Sequence, residues 1–303
     1  MRIFRKTAMW LMVTFLLLIG SFISACGSTS LGANGSSHTL KVVAAENFYG
    51  DIAKQLGGQH VSVTSILSNP NVDPHEYQSN AQTSITVGQA DLVIENGAGY
   101  DGWMDQILAS TPNSQRLLLK GYDNAGIHLP ENVHVWYSFE NAAMIAQAIT
   151  ADLKILDPTD TSNFNSNLQM FKQSLQPLQQ KVAAIKARYN GTPVGLTETI
   201  YLYQTELEGL QVLTPFEFEK AIAEGNDPPA DTVISATDQI NQRQIKVLIY
   251  NEQTVTPVTT NLENLAQTKH IPIVPVTETM PPNKTYQTWM MDQLNTLQVA
   301  LGG

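Results

Sequence analysis

Seven short apolar runs recur along most of this chain, separated by longer stretches whose apolar residues return every three or four positions. The runs cover residues 40–44, 61–67, 91–95 and 116–119, and after a gap 193–196, 245–250 and 271–276. Helical periodicity marks 47–56, 101–108, 142–156, 231–243, 258–266 and 286–301. Strands separated by helices pair through crossovers, so the sheets are expected to be parallel and the fold α/β. One stretch, 161–189, breaks the alternation. Leu168, Phe171, Leu175, Leu178, Val182 and Ile185 follow at steps of three or four, which predicts one long amphipathic helix bent at Pro177. With β/α pattern on each side of it, the expected architecture is two Rossmann-like lobes with parallel sheets. The lobes are residues 39–157 and 191–303, joined by a connecting helix over 158–190 with a ligand cleft between them.

The first residues are an address and not part of this fold. Arg2, Arg5 and Lys6 precede an uncharged run from Ala8 to Ala25, so 1–25 reads as an export signal. The run is long enough to cross a bilayer. However, it ends in Ile23-Ser24-Ala25-Cys26, small residues before the chain's only cysteine, which resembles a bacterial lipoprotein cleavage box. Cys26 would then carry the lipid and become the mature N-terminus, placing the protein on the extracytoplasmic face of the cell membrane. Residues 26–38 are small and polar and read as a flexible tether, with His38 a bystander in it. A single cysteine excludes a disulfide framework and a Cys₄ zinc site. Seventeen Lys+Arg against 27 Asp+Glu give a net charge of −10, which argues against nucleic acid as a partner and suits a cationic ligand.

Gly97-Ala98-Gly99-Tyr100-Asp101-Gly102 matches the dinucleotide-binding pattern G-x-G-x-x-G, between a strand and a helix. It would follow the third strand rather than the first, and the protein is exported, so it reads as a glycine-rich turn. The chain contains neither H-E-x-x-H nor G-x-S-x-G, and no enzyme activity is expected.

Four residues stand out as candidate ligands. His75 lies in a loop past the strand at 61–67, and His134 in Val133-His134-Val135-Trp136. Glu198 follows the strand at 193–196, and Glu278 the strand at 271–276. Strand ends of open α/β sheets are where ligands bind, and two residues from each lobe would meet in the cleft. Spacing alone does not choose them. His38, His60, His128 and His270 are equally placed to be ordinary surface or hydrogen-bonded groups.

Val72-Asp73-Pro74-His75-Glu76-Tyr77 resembles the D-P-H-x-[YF] stretch of the metal-binding lipoproteins of zinc and manganese ABC importers. His134-Val135-Trp136 resembles that family's H-V-W, and Asn96 through Trp103 its N-G-x-G-x-x-x-W segment. The resemblance covers 40–303. It implies a metal cleft between the lobes, with His75, His134, Glu198 and Glu278 as ligands of one divalent ion, Mn²⁺ or Zn²⁺, carried as cargo. The implied partner is an ABC importer permease, with Cys26 as the lipid anchor and the protein acting as a monomer. Two glutamates binding through both oxygens would suit Mn²⁺, while Zn²⁺ stands above Mn²⁺ in intrinsic affinity for such donors. The sequence departs from the family in three ways. Asn132-Val133 replaces the D-P before the second histidine, the histidine-rich loop of many zinc-specific members is missing, and Glu278 stands where Asp is frequent. A surface adhesin on the same fold, or a metallohydrolase using Asp73, Glu76 or Glu252 as base, are the alternatives.

Overall fold

A computed structural model of the chain describes residues 39–69, 72, 74 and 77–302. The leader, Cys26, the tether with His38, and Asp73, His75 and Glu76 lie outside the described residues. The first sheet contains β1 (Leu40–Glu46), β2 (Val61–Leu67), β3 (Leu92–Glu95) and β4 (Leu117–Lys120), in the order β2-β1-β3-β4. The second contains β5 (Pro193–Leu196), β6 (Gln211–Val212), β7 (Val247–Asn251) and β8 (Ile273–Val276), in the order β6-β5-β7-β8. Every pairing is parallel, with Val43 opposite Val93 in one sheet and Gly195 opposite Leu248 in the other. Each chain path runs to one side of its first strand and then reverses. The reversal leaves a switch point between β1 and β3, and another between β5 and β7, where open sheets gather ligands.

The apolar runs are explained by helices on both faces. Along β1, Val42 and Ala44 point into a core with Phe48, Ile94 and Trp136, while Val43 and Ala45 point into another with Val93, Trp103 and Ile107. In β7, Val247 and Ile249 share the first of these cores, and Leu248 packs against Phe218, Ile240 and Leu262. The large core therefore runs unbroken through both lobes, with the Trp136 ring stacked on Phe48 at 4.5 Å. Buried hydrogen bonds cross the same boundary. Tyr137 donates to the Thr277 carbonyl at 2.7 Å, Tyr286 to the Trp136 carbonyl at 2.6 Å, and Asn47 exchanges two bonds with the Met280 backbone.

The connector is a long bent helix rather than one straight one: α5 (Thr161–Ser174), Leu175, and α6 (Gln176–Tyr189). (Helices α1 to α4 are Asn47–Gly57, Ala81–Gly88, Gly102–Ser110 and Phe139–Leu156.) The bend falls at Leu175, two residues before the proline expected to cause it. Pro177 offers no N–H to the carbonyl four residues back and its ring crowds that carbonyl, so the ladder breaks ahead of the proline. Pro177 itself then sits in the first turn of α6, where an N–H is not needed. Leu175 keeps right-handed dihedrals, and the stripe Phe164, Phe171, Leu175, Leu178, Val182, Ile185 stays buried through the bend.

The remaining helices complete the second lobe: α7 (Leu202–Glu208), α8 (Phe216–Ala223), α9 (Ala230–Asn241), α10 (Pro257–Thr268) and α11 (Tyr286–Ala300).

Candidate metal centre

Both sheets turn their carboxyl-terminal ends toward one cleft. β5 runs directly into Thr197 and Glu198, β8 into Thr277 and Glu278, and β3 into the glycine loop that carries Tyr100. His134 opens a short 3₁₀ turn, Val135–Tyr137, that anchors Trp136 and Tyr137 in the shared core and leads into α4. The candidate ligand atoms of His134, Glu198 and Glu278 all lie within 4.8 Å of one another, and all three side chains are buried. Above them an opening of about 420 Å³ is lined by Gly99, Tyr100, His134, Thr199 and Lys220.

The orientation of His134 is set by Asn132. The Asn132 amide nitrogen donates to the Thr199 carbonyl at 2.8 Å, which leaves its Oδ1 facing the histidine. That oxygen accepts from the His134 backbone N–H at 2.9 Å and lies 3.0 Å from ring Nδ1. An amide oxygen can only accept, so Nδ1 carries the proton and, in the neutral ring, Nε2 carries the lone pair. Nε2 lies 3.6 Å from Glu198 Oε1. A ring nitrogen held by an outer hydrogen-bond partner, with the other aimed at carboxylates, is the arrangement of a metal-binding histidine. Asn132, a departure from the family pattern in the sequence, performs this task here.

Glu198 caps the turn Thr199–Tyr201: its Oε2 accepts from Ile200 N at 3.1 Å and its Oε1 from Thr199 Oγ1 at 2.9 Å. Burial, and then the negative charge of Glu278, push its carboxyl well above the usual range, against the pull of those hydrogen bonds. Glu278 accepts from Tyr100 Oη at 2.7 Å on Oε2, and from Asn251 Nδ2 at 2.6 Å and Thr254 Oγ1 at 3.2 Å on Oε1. Tyr100, Asn251 and Thr254 had no signal in the sequence as site residues.

The glycine loop serves this centre. Asp101 accepts from Asn96 N at 2.6 Å and Gly97 N at 2.8 Å, and Gly97 takes a φ of 78°, folding the loop so that Tyr100 points into the cleft, edge-on to His134. Of the other histidines, His60 pairs with Asp160 at 2.8 Å and, with Asp157, forms a second, half-buried donor group. His128 contacts the Ala125 carbonyl, and His270 is exposed. Glu252 is exposed and bonded by Tyr250, not in the cleft.

With this geometry in view, comparison with known proteins gives a consistent result. The family model described as ZnuA, zinc-uptake complex component A, periplasmic, matches residues 42–300. The chain belongs to this family. Among its relatives, the manganese ABC transporter substrate-binding lipoprotein PsaA of Streptococcus pneumoniae is 27% identical over 205 residues, which are 62% of this chain and 63% of that protein. The metal ABC transporter substrate-binding lipoprotein ScbA of Streptococcus cristatus is 26% identical over 204 residues, again 62% and 63% of the two chains. The match thus spans a little under two thirds of the streptococcal proteins' length. The same fold is found in the periplasmic zinc binding protein TroA of Treponema pallidum, at a TM-score of 0.73 and 20% identity, covering 88% of this chain and 100% of that one. The solute-binding protein FpvC of Pseudomonas aeruginosa in complex with Mn²⁺ superposes at 0.72 and 18% identity, over 87% and 98%.

Proposed function

We propose that this ZnuA-family protein is an extracytoplasmic solute-binding lipoprotein that captures one divalent transition metal ion in its cleft and delivers it to an ABC importer. The observation that carries this reading is the buried convergence of His134 from the first lobe with Glu198 and Glu278 from the second. Two carboxylates out of water repel one another and lose hydration, a cost that a shared dication removes. His75 would supply the fourth ligand, giving two neutral nitrogens and two anionic oxygens to balance a doubly charged ion. Val72, three residues before it in sequence, accepts a hydrogen bond at 3.0 Å from Gln253 of the second lobe, which supports bringing that loop to the cleft. The names of the relatives, metal and manganese ABC transporter substrate-binding lipoproteins, support the cargo, the importer and a binding role without catalysis.

Neutral imidazole and carboxylate oxygen accept both Mn²⁺ and Zn²⁺, with Zn²⁺ the tighter. After chelation and reloading, each ion is expected to bind one per chain and raise the melting temperature, zinc by the larger shift. An ion that binds only the folded state at 100 times its Kd adds about 2.7 kcal/mol. No shift with either ion would overturn the proposal.

The membrane address rests on Cys26. Cys26→Ala is expected to abolish incorporation of labelled lipid and to leave the chain uncleaved or released. Undiminished labelling would remove the anchor from this account.

A further inference from the structure

Between the two glutamates lies a residue that the ligand set does not include. Asn251 ends β7, the strand between β5 and β8, and is 2% exposed. Its Nδ2 is 2.6 Å from Glu278 Oε1 and 3.4 Å from Glu198 Oε2, so one amide faces a carboxylate oxygen of each glutamate. The same nitrogen is 2.9 Å from Thr254 Oγ1. The orientation of the amide is fixed independently. Oδ1 accepts from Gln253 N at 3.0 Å, and the Asn251 backbone N–H donates to Thr197 Oγ1 at 3.2 Å. Turned the other way, the amide would set its oxygen against two carboxylates and leave Gln253 N facing a donor.

The consequence is an unequal use of the carboxylate oxygens. Glu198 Oε1, beside His134 Nε2, accepts one bond, from Thr199 Oγ1, while Oε2 accepts two, from Ile200 N and Asn251. Glu278 has Oε1 engaged by Asn251 and Thr254, and Oε2 bonded by Tyr100, whose ring is edge-on to His134. A carboxylate oxygen has two lone pairs, so the oxygen of each glutamate that accepts two bonds is filled. For either glutamate to grip an ion with both oxygens, it would have to give up one of those two donors, the Asn251 amide among them.

We propose that Asn251 is a specificity-determining positioning residue, which holds one oxygen of each glutamate so that each offers a single oxygen to the ion, favouring a four-coordinate cargo such as Zn²⁺ over a higher-coordinate one such as Mn²⁺. The inference rests on the metal-capture reading and deepens it. It also reverses the expectation that two glutamates binding through both oxygens would tilt the site to manganese.

Co²⁺ is the probe that separates coordination number from affinity. A four-coordinate Co²⁺ centre has no inversion symmetry and absorbs visible light far more strongly than a six-coordinate one. Wild-type protein loaded with Co²⁺ is expected to show the intense bands. In Asn251→Ala they should weaken as the freed oxygens join the ion, and the Zn²⁺-to-Mn²⁺ affinity ratio should fall by about tenfold or more, the usual size of an outer-partner effect. Asn251→Leu keeps a similar shape but removes the donor, so it should move both readouts the same way and decides the matter if the alanine variant does not fold. A residue that merely stabilised the fold would change the apo melting temperature and neither readout. Folded variants with the wild-type spectrum and ratio would overturn the proposal, as would weak, six-coordinate bands in the wild type, which would leave metal capture itself intact. A wild type that binds no divalent ion would instead remove the capture reading and this inference with it.

Discussion

His134→Ala is expected to lower the affinity for Zn²⁺ by more than about a hundredfold while the apo protein stays folded. Loss of an outer hydrogen-bond partner of a metal ligand commonly costs 10- to 100-fold, and here a direct bond to the ion would go. The substitution also leaves Glu198 and Glu278 without the nitrogen that completes the cluster. Titration of chelated protein measures the loss. His270→Asn is the matched control: the residue is exposed and its φ of 55° suits asparagine, so affinity should not change. His60 would be a poorer control because it is paired with Asp160. Equal behaviour of the His134 and His270 variants would remove His134 from the site.

A second large effect is expected in stability, away from the cleft. Glu208 at the end of α7 is fully buried; its Oε1 accepts from Tyr201 Oη at 3.1 Å, and its Oε2 has no hydrogen-bond partner among the described residues. Burial pushes its carboxyl up to about 8 from 4.5, partly opposed by the Tyr201 hydrogen bond. An acid whose folded value is raised binds its proton more tightly in the folded state. Stability is therefore full below the unfolded value, declines as pH rises from about 4.5 to 8, and stays low above that. At about 1.4 kcal/mol per pH unit the loss is on the order of 5 kcal/mol. Glu208→Gln holds a neutral amide in the same space, so it should melt on the order of 10 °C higher than wild type at pH 9, at about 2–4 °C per kcal/mol in a chain of this size. At pH 4.5 the two should melt together. Melting curves at the two pH values measure this, and a variant destabilised equally at both would show that the carboxylate has a role the hydrogen bonds do not reveal.

The strands were legible because helices pack on both faces of both sheets, so the central strands carry unbroken apolar runs, residues 92–94 in β3 and 247–250 in β7. β6 was not, since two residues, Gln211 and Val212, at a sheet edge carry no pattern. Nor was the helix Ala81–Gly88, a polar segment whose start is set by the Asn80 cap on Thr83 N. Within the centre, Glu198 and Glu278 could be proposed because they directly follow strands, where the fold itself predicts a ligand edge. His134 needed the family resemblance, since nothing about a histidine before Val-Trp announces a ligand. Asn132, Asn251 and Tyr100 were illegible for a different reason. Tyr100 and Asn251 act on Glu278, distant in sequence, and Asn132 can orient the nearby His134 only because its amide is held by the distant Thr199 carbonyl; such bonds leave no local periodicity.

The central claim, that an ion is captured between the lobes, is tested most directly by diffraction from Zn²⁺-loaded crystals at the zinc absorption edge. The account predicts one strong anomalous peak about 2.0–2.2 Å from His134 Nε2 and from one oxygen each of Glu198 and Glu278, with His75 completing the set. A strong peak only among His60, Asp157 and Asp160, or an empty cleft at saturating zinc, would contradict it.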